Sequence, residues 1–198
     1  MNLAYLGDPL DHWKGALFES LQKGGVLKEF AVDPMASDLE SWKPEDFTLL
    51  ARLLKVRPDQ IITHDSNLQD RTSYFAEISH HGDLFLDPDT GVATWQVTGV
   101  KVRQFVRPSE IKQLLDSQFH RLVMFYQHVR AQKVRDRVDA VLGALRHEAG
   151  EYSWCSYECP TVAMLFLART PDRPASVRKH FANLLGRHAT GRIRGSEL

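Results

Sequence analysis

Leu84-Phe85-Leu86-Asp87-Pro88-Asp89-Thr90-Gly91 is the stretch on which the fold turns. Three consecutive apolar residues are too few for a buried helix, and they run straight into a proline and a glycine that end strand pairing. The segment therefore reads as a short buried strand, with Asp87 to Gly91 as an abrupt polar corner at its carboxyl end.

Upstream, Leu3 to Leu6 reads as a strand ending at Gly7-Asp8-Pro9. Leu10, Trp13, Leu17, Phe18 and Leu21 then follow helical spacing until Gly24-Gly25. Val26 to Val32 reads as a second strand, Phe47 to Leu54 as a helix, and Arg71 to His80 as a helix that Gly82 ends. Downstream, Val100 to Val106 reads as extended, Pro108 to Leu115 as a helix and Arg121 to Tyr126 as a strand. Val134, Val138, Val141, Leu142 and Leu145 line one face of a helix drawn from Val129 to His147. Two strands, Glu151 to Tyr157 and Thr161 to Leu167, lead into a helix capped at Ser176.

Strands alternating with helices predict an α/β fold, a three-layer Rossmann-like sandwich with a largely parallel sheet. The short Pro-containing link between the last two strands predicts an antiparallel addition at the C-terminal end. With 198 residues, no internal repeat and no low-complexity linker, residues 1–198 are expected to form a single domain.

The composition, 43% hydrophobic and 25% charged, excludes a disordered chain, and no apolar run approaches the roughly 20 residues that cross a bilayer. No membrane partner is expected. Met1 to Asp8 lacks the pattern of a secretory signal, so a cytoplasmic protein is expected. Cys155 and Cys159 lack a second pair to complete a zinc site and read as packed thiols. The formal net charge is zero, yet residues 1–100 carry 8 Lys/Arg against 16 Asp/Glu and residues 101–198 carry 17 against 9. Such a split fits either an acidic pocket beside an anion-attracting surface or neutralisation within one folded domain.

Ligands of open α/β sheets sit beyond the carboxyl ends of the strands, so polar residues at those ends are the site candidates. Three corners qualify: Gly7 to Lys14, Asp87 to Gly91, and Tyr126-Gln127-His128. Asp87 and Asp89, one residue apart, can aim both carboxylates to one side and offer oxygens to Mg²⁺ or Ca²⁺. Their spacing does not match a Ca²⁺ helix-loop-helix, because Gly91 falls one position early and Thr98 stands where Glu is needed. Ordinary turn chemistry accounts for Asp-Pro-Asp-Thr-Gly equally.

Asp11 and Lys14 share a helix face and can pair on the surface, or Asp8 or Asp11 can serve as a further metal ligand or base with Lys14 holding an anionic oxygen. His128 is the candidate general acid or base, with a satisfied structural histidine as the alternative. His64, His80 and His81 lack ligand spacing and read as surface residues. The phosphate-binding loops, nucleophile elbow and zinc-protease motif are all absent, which removes the usual warrant for a nucleotide triphosphatase, dinucleotide enzyme, serine hydrolase or zincin.

At these corners the chain resembles a family of uncharacterised bacterial and phage proteins with a Gly-Asp-x-x-Asp-x-x-Lys start, a Phe-Leu-Asp-Pro-Asp-Asn-Gly centre and a Tyr-Gln-His segment. Here they read Gly7 to Lys14, Phe85 to Gly91 with Thr90 in place of Asn, and Tyr126 to His128. The resemblance implies that the three corners belong together and implies no activity. More faintly, Asp87-Pro88-Asp89-Thr90 resembles the Asp-Pro-Pro-Tyr strand end of amino-group methyltransferases, with two of four positions different and no glycine-rich loop after the first strand.

The leading expectation is a metal-dependent hydrolase of an ester, lactone or phosphodiester. Asp87 and Asp89 hold Mg²⁺ or Ca²⁺, Asp8 or Asp11 assists with Lys14, and His128 moves the proton. A methyltransferase-related protein acting on nucleic acid, and a non-catalytic binding module, are the alternatives. The substrate is accordingly a small molecule or a nucleic acid.

Overall fold

A computed structural model describes residues 1–64, 68–130 and 132–196, and of Val100 the backbone alone. Six strands form one mixed sheet in the order β1-β2-β5-β7-β6-β8. They are β1 (Phe30–Asp33), β2 (Asp83–Leu86), β5 (Val123–His128), β7 (Val162–Ala168), β6 (Ser153–Cys159) and β8 (Ile193–Gly195). The pairs β1–β2 and β2–β5 are parallel, while β7 is antiparallel to both β5 and β6, and β8 to β6. Thus β1, β2, β5 and β6 run one way, and the antiparallel strands lie in the C-terminal half. A two-stranded parallel ribbon, β3 (Gly91–Val92) with β4 (Phe105–Val106), stands off the sheet beside β5.

Strand periodicity sends alternate residues into two separate cores. Along β7, Val162, Met164, Phe166 and Ala168 belong to one, and Ala163, Leu165 and Leu167 to the other. The first core is covered by α1 (Pro9–Lys23), α2 (Pro44–Leu54) and α6 (Asp172–Leu185), through Phe18, Leu21, Leu50, Leu54, Val177 and Phe181. The second is covered by α3 (Arg71–Ile78), α4 (Pro108–Ser117) and α5 (Val134–Ala149), through Phe75, Ile78, Ile111, Leu114, Val138 and Val141. Burial on both faces explains why the central strands read as unbroken apolar runs rather than alternating ones. The protein is therefore a helix-sheet-helix α/β sandwich.

Several segments depart from the sequence reading. Leu3–Tyr5 is a 3-10 turn rather than a strand, because the Asn2 side chain accepts from the Ala4 amide at 2.9 Å and caps it. Val26 belongs to the closure of α1, its amide donating to the Leu21 carbonyl at 2.9 Å, so pairing begins only at Phe30. Gly99–Gln104 is a 3-10 turn, and only Phe105–Val106 of the expected extended stretch is a strand. Ser176 lies inside α6 and donates to the Asp172 carbonyl, so it does not cap that helix. In the helix drawn from Val129, regular structure starts at Val134, and Ala131 falls outside the described residues.

Candidate functional site

Asp8 is the N-cap of α1: its Oδ1 accepts from the Leu10 amide at 2.7 Å and from the Asp11 amide at 3.2 Å, with Pro9 preset for the first helical position. It does not end a strand, as the sequence reading had it. Farther along α1, Gly15 lets the helix approach α2 closely, since a Cβ there would lie 2.1 Å from the Leu53 carbonyl oxygen. The cap and this close approach fix the first turns of α1 against the carboxyl end of β2, which is where Asp11 and Lys14 are needed.

Both of those side chains are buried, and so is Asp87, the first residue after β2. Lys14 Nζ lies 2.9 Å from Asp11 Oδ1 and 2.6 Å from Asp87 Oδ2, and it sits 5.1 Å from the centre of the Tyr126 ring. Asp11 turns its other oxygen to the Gly7 amide at 2.8 Å. Asp11 and Lys14 therefore form no surface pair. They are two members of a buried three-residue ion cluster that ties the first corner to the second. Burial works to lower the Lys14 pKa, but Asp87 and Asp11 outweigh it and hold the ammonium above its ordinary value. Burial raises the Asp87 carboxyl against the opposing pull of Lys14 and the Met1 amine.

Asp89 takes a different set of partners. Its Oδ2 accepts from the Ser37 hydroxyl at 2.7 Å, and its Oδ1 lies 3.3 Å from the Met1 amine. That amine also donates to the carbonyls of Pro34, Met35 and Asp87 at 2.7 to 2.8 Å. Asp87 and Asp89 thus point their oxygens at different cations rather than at one shared point. Among the described residues, no group of three or more His, Cys, Asp or Glu side chains is arranged to hold a metal ion. As placed, the pair does not fit Mg²⁺ or Ca²⁺, which require several oxygens converging on one centre.

The third corner joins the same place. His128 is the last residue of β5 rather than the one after it, and Tyr126, two residues earlier on the same face, puts its hydroxyl 2.8 Å from His128 Nδ1. His128 Nε2 has no protein hydrogen bond among the described residues. Burial, then Arg130, lowers the His128 pKa, against the opposing influence of Asp8. Burial also raises the Tyr126 phenol far above its usual value, so it stays protonated. Gln127 points the opposite way, accepting from the Val92 amide at 2.9 Å and donating to the Thr90 carbonyl at 3.0 Å, which pins the corner after β2 to β5.

One cleft of about 200 Å³ opens onto all of this, and Asp8, Asp11, Lys14, Asp87, Asp89 and His128 all line it, together with Tyr126 and Arg130. The sequence reading singled out neither Tyr126 nor Arg130 for a role. The two-residue interval between Tyr126 and His128 on a strand was the available signal for the first.

A second buried network was also missed. His64 is buried rather than on the surface: its Nε2 lies 3.1 Å from Asp33 Oδ1 and its Nδ1 3.0 Å from Glu77 Oε2, and its ring stacks on Tyr74 at 3.8 Å. The Tyr74 hydroxyl donates to Asp33 Oδ1 at 2.6 Å. Burial would lower the His64 pKa, but the bonds to Asp33 and Glu77 leave it raised. Asp65, the next residue, lies outside the described residues.

Part of the basic second half is engaged in structure. Arg169 pairs with Asp116, Arg173 with Asp83, and Arg194 with Asp139 and Glu158. Arg121 donates to the carbonyls of Gly82, Leu114, Ser79 and His81, and Arg137 to the Val92 carbonyl and the Thr94 hydroxyl. Of the Lys and Arg residues after position 100, Arg130 alone lines the cleft among the described residues.

No family model matches the chain, and no curated protein matches it. Among solved structures, it is similar to protein LPL1258 from Legionella pneumophila, which carries the family label DUF519, at 14% identity and a TM-score of 0.43. The likeness covers 78% of this chain and 57% of that one. Among the described residues, no helix is long and apolar enough to cross a membrane.

Proposed function

We propose that the cleft is the active site of a hydrolase for a small uncharged ester or lactone, working by acid-base chemistry at His128. The observation that carries this reading is the Tyr126-His128 pair at the end of β5. Burial and Arg130 hold its imidazole pKa below the ordinary value, which favours the neutral form, and its Nε2 is left unbonded by protein among the described residues.

The reacting tautomer is the one in which Nδ1–H donates to the phenol oxygen, because it leaves Nε2 a lone pair for a water proton. The hydroxide adds to the carbonyl carbon, and the oxyanion so formed is favoured by the Arg130 guanidinium at the rim. Collapse of the tetrahedral intermediate breaks the C–O bond, and the imidazolium returns its proton to the leaving alkoxide. The Lys14–Asp11–Asp87 cluster holds the floor of the cleft in place.

Charge and size narrow the substrate class. Four carboxylates line the cleft, against Lys14, Arg130 and the Met1 amine, so an uncharged substrate suits it better than a phosphodiester. At about 200 Å³ the cleft is smaller than the roughly 300–1,000 Å³ typical of drug-sized ligands, so it accepts a small molecule or one end of a larger one. Among the described residues Arg130 is the one Lys or Arg after position 100 that lines the cleft, which weakens the nucleic-acid alternative at this site, and no Mg²⁺ or Ca²⁺ enters this scheme.

The test is hydrolysis of p-nitrophenyl acetate and γ-butyrolactone by the wild type and His128→Gln, each with and without EDTA. The expected result is a wild-type rate indifferent to EDTA and a loss in kcat/KM of about 10²- to 10⁴-fold in the variant. Equal rates in the two proteins, or abolition by EDTA, would refute it. Saturable ligand binding with no turnover would instead favour the binding-module reading.

A further inference from the structure

A larger groove, about 810 Å³, lies apart from the His128 cleft between the segment after β3, the start of α4 and the end of α5. Its most unusual wall residue is Trp95, an indole that is 57% exposed. Trp95 is nevertheless held firmly. Phe105 packs edge-on against it at 5.5 Å between ring centres, and the Arg137 guanidinium lies 5.5 Å from its ring centre. Arg137 is itself fixed by bonds of 2.8 Å to the Thr94 hydroxyl and 2.7 Å to the Val92 carbonyl. A large aromatic ring supported by a buried arginine and still open to solvent is a preorganised stacking surface, since little side-chain freedom remains to be lost when a planar group lands on it.

The surroundings select what lands there. Ala93, Val97, Val102 and Ala144 supply an apolar lining, while Gln96 and Thr98 offer hydrogen-bonding groups suited to the edge of a heteroaromatic ring. Arg107 lines the groove, is exposed, and makes no ion pair among the described residues. Lys101, on the same 3-10 turn as the lining residues Gly99 and Val102, is likewise exposed and without an acidic partner among them. Arg107 and Lys101, against Glu148 as the single lining carboxylate among the described residues, put net positive charge beside a stacking platform and complement an aromatic ring that carries a negative charge.

We propose that this groove binds a mononucleotide, with the base stacked on Trp95 and the phosphate held by Arg107. A polynucleotide would need a continuous basic track to follow its backbone, and here the unpaired cations flank a single platform. The groove's volume also exceeds what a base alone would fill.

The probes are AMP, adenosine, ribose 5-phosphate and a (dA)₈ oligonucleotide, titrated by calorimetry against wild type, Trp95→Ala, Trp95→Phe and Arg107→Gln. AMP is expected to bind more tightly than adenosine or ribose 5-phosphate. Trp95→Ala should weaken AMP about 5- to 150-fold, the range for removing one base-stacking aromatic, and Trp95→Phe should weaken it less. Arg107→Gln should weaken AMP and leave adenosine unchanged. Both positions are exposed, so folding of the variants is checked by circular dichroism, with Trp95→Phe and Arg107→Gln carrying the test should the alanine variant unfold. No AMP binding at 10 mM, or equal AMP affinity in the wild type and the Trp95 and Arg107 variants, overturns the proposal. So does (dA)₈ binding a hundredfold tighter than AMP, which would mark a single-strand surface, or a wild-type dimer that Trp95→Ala dissolves.

Discussion

Replacing Lys14 by Met removes the ammonium that, among the described residues, alone pairs with both Asp11 and Asp87, while roughly keeping the side chain's length. Asp11 and Asp87 are 1% and 3% exposed, so water from the cleft can take over little of the lost contacts at 2.9 and 2.6 Å. Breaking a buried ion pair from one side typically costs about 3–5 kcal/mol, chiefly because the remaining charge is stranded. In a chain of this size each kcal/mol lowers Tm by about 2–4 °C, so the expected drop is roughly 6–20 °C.

The deficit should depend on pH. Asp87 already has a raised carboxyl pKa, and without Lys14 it rises further, so the folded variant takes up a proton that the unfolded chain does not. Stability then falls as pH rises through that window, and Lys14→Met should lie closer to wild type at pH 5 than at pH 8. Adding Asp87→Asn should recover part of the loss, because one stranded charge is gone. Urea unfolding of the three proteins at both pH values is the assay. A Lys14→Met variant within about 1 kcal/mol of wild type at pH 8, or a double variant no more stable than the single one, would refute the ion-cluster account.

Gly91→Ala should destabilise the fold by about 1–3 kcal/mol in the same assay, since φ is +114° and a Cβ would sit 2.3 Å from Gln127 Oε1. The folded His64 pKa is raised, so its contribution is full below the unfolded value and is lost as pH rises through the folded one. Wild-type stability should accordingly fall above about pH 6.5 with a slope that His64→Gln lacks. If His128 is the base, kcat/KM should rise with pH through a value below the ordinary 6.5, and Arg130→Gln should move that midpoint upward because a positive neighbour is removed. Addition of EDTA or millimolar Mg²⁺ or Ca²⁺ should leave the wild-type Tm unchanged, which differential scanning fluorimetry can check; a rise with either ion would restore the metal reading.

The class of fold was legible because burial writes itself locally. Leu84-Phe85-Leu86 and the apolar run of β7 must be strands covered on both faces, and the amphipathic stretches beside them must supply the covers. The corners after β2 and at the end of β5 were legible for a related reason, since strand ends in such a sheet share an edge, whereas Gly7 to Lys14 reaches the same cleft from the start of a helix and not from a strand end. Short segments stabilised by partners far away in sequence escaped. The β8 strand, Ile193–Gly195, exists through pairing with β6 and carries no pattern of its own. Which acid takes which cation was likewise decided only in three dimensions. The one-residue spacing of Asp87 and Asp89 suggested a shared metal, but α1 brings Lys14 to Asp87 while Ser37 and the Met1 amine take Asp89. His64 shows the same limit, because its burial depends on Asp33, Tyr74 and Glu77 arriving from β1 and α3. A sequence records which side chains carry charge. Only folding sets the distances between them, and Coulombic and hydrogen-bond energies depend on those distances too steeply to be read from order along the chain.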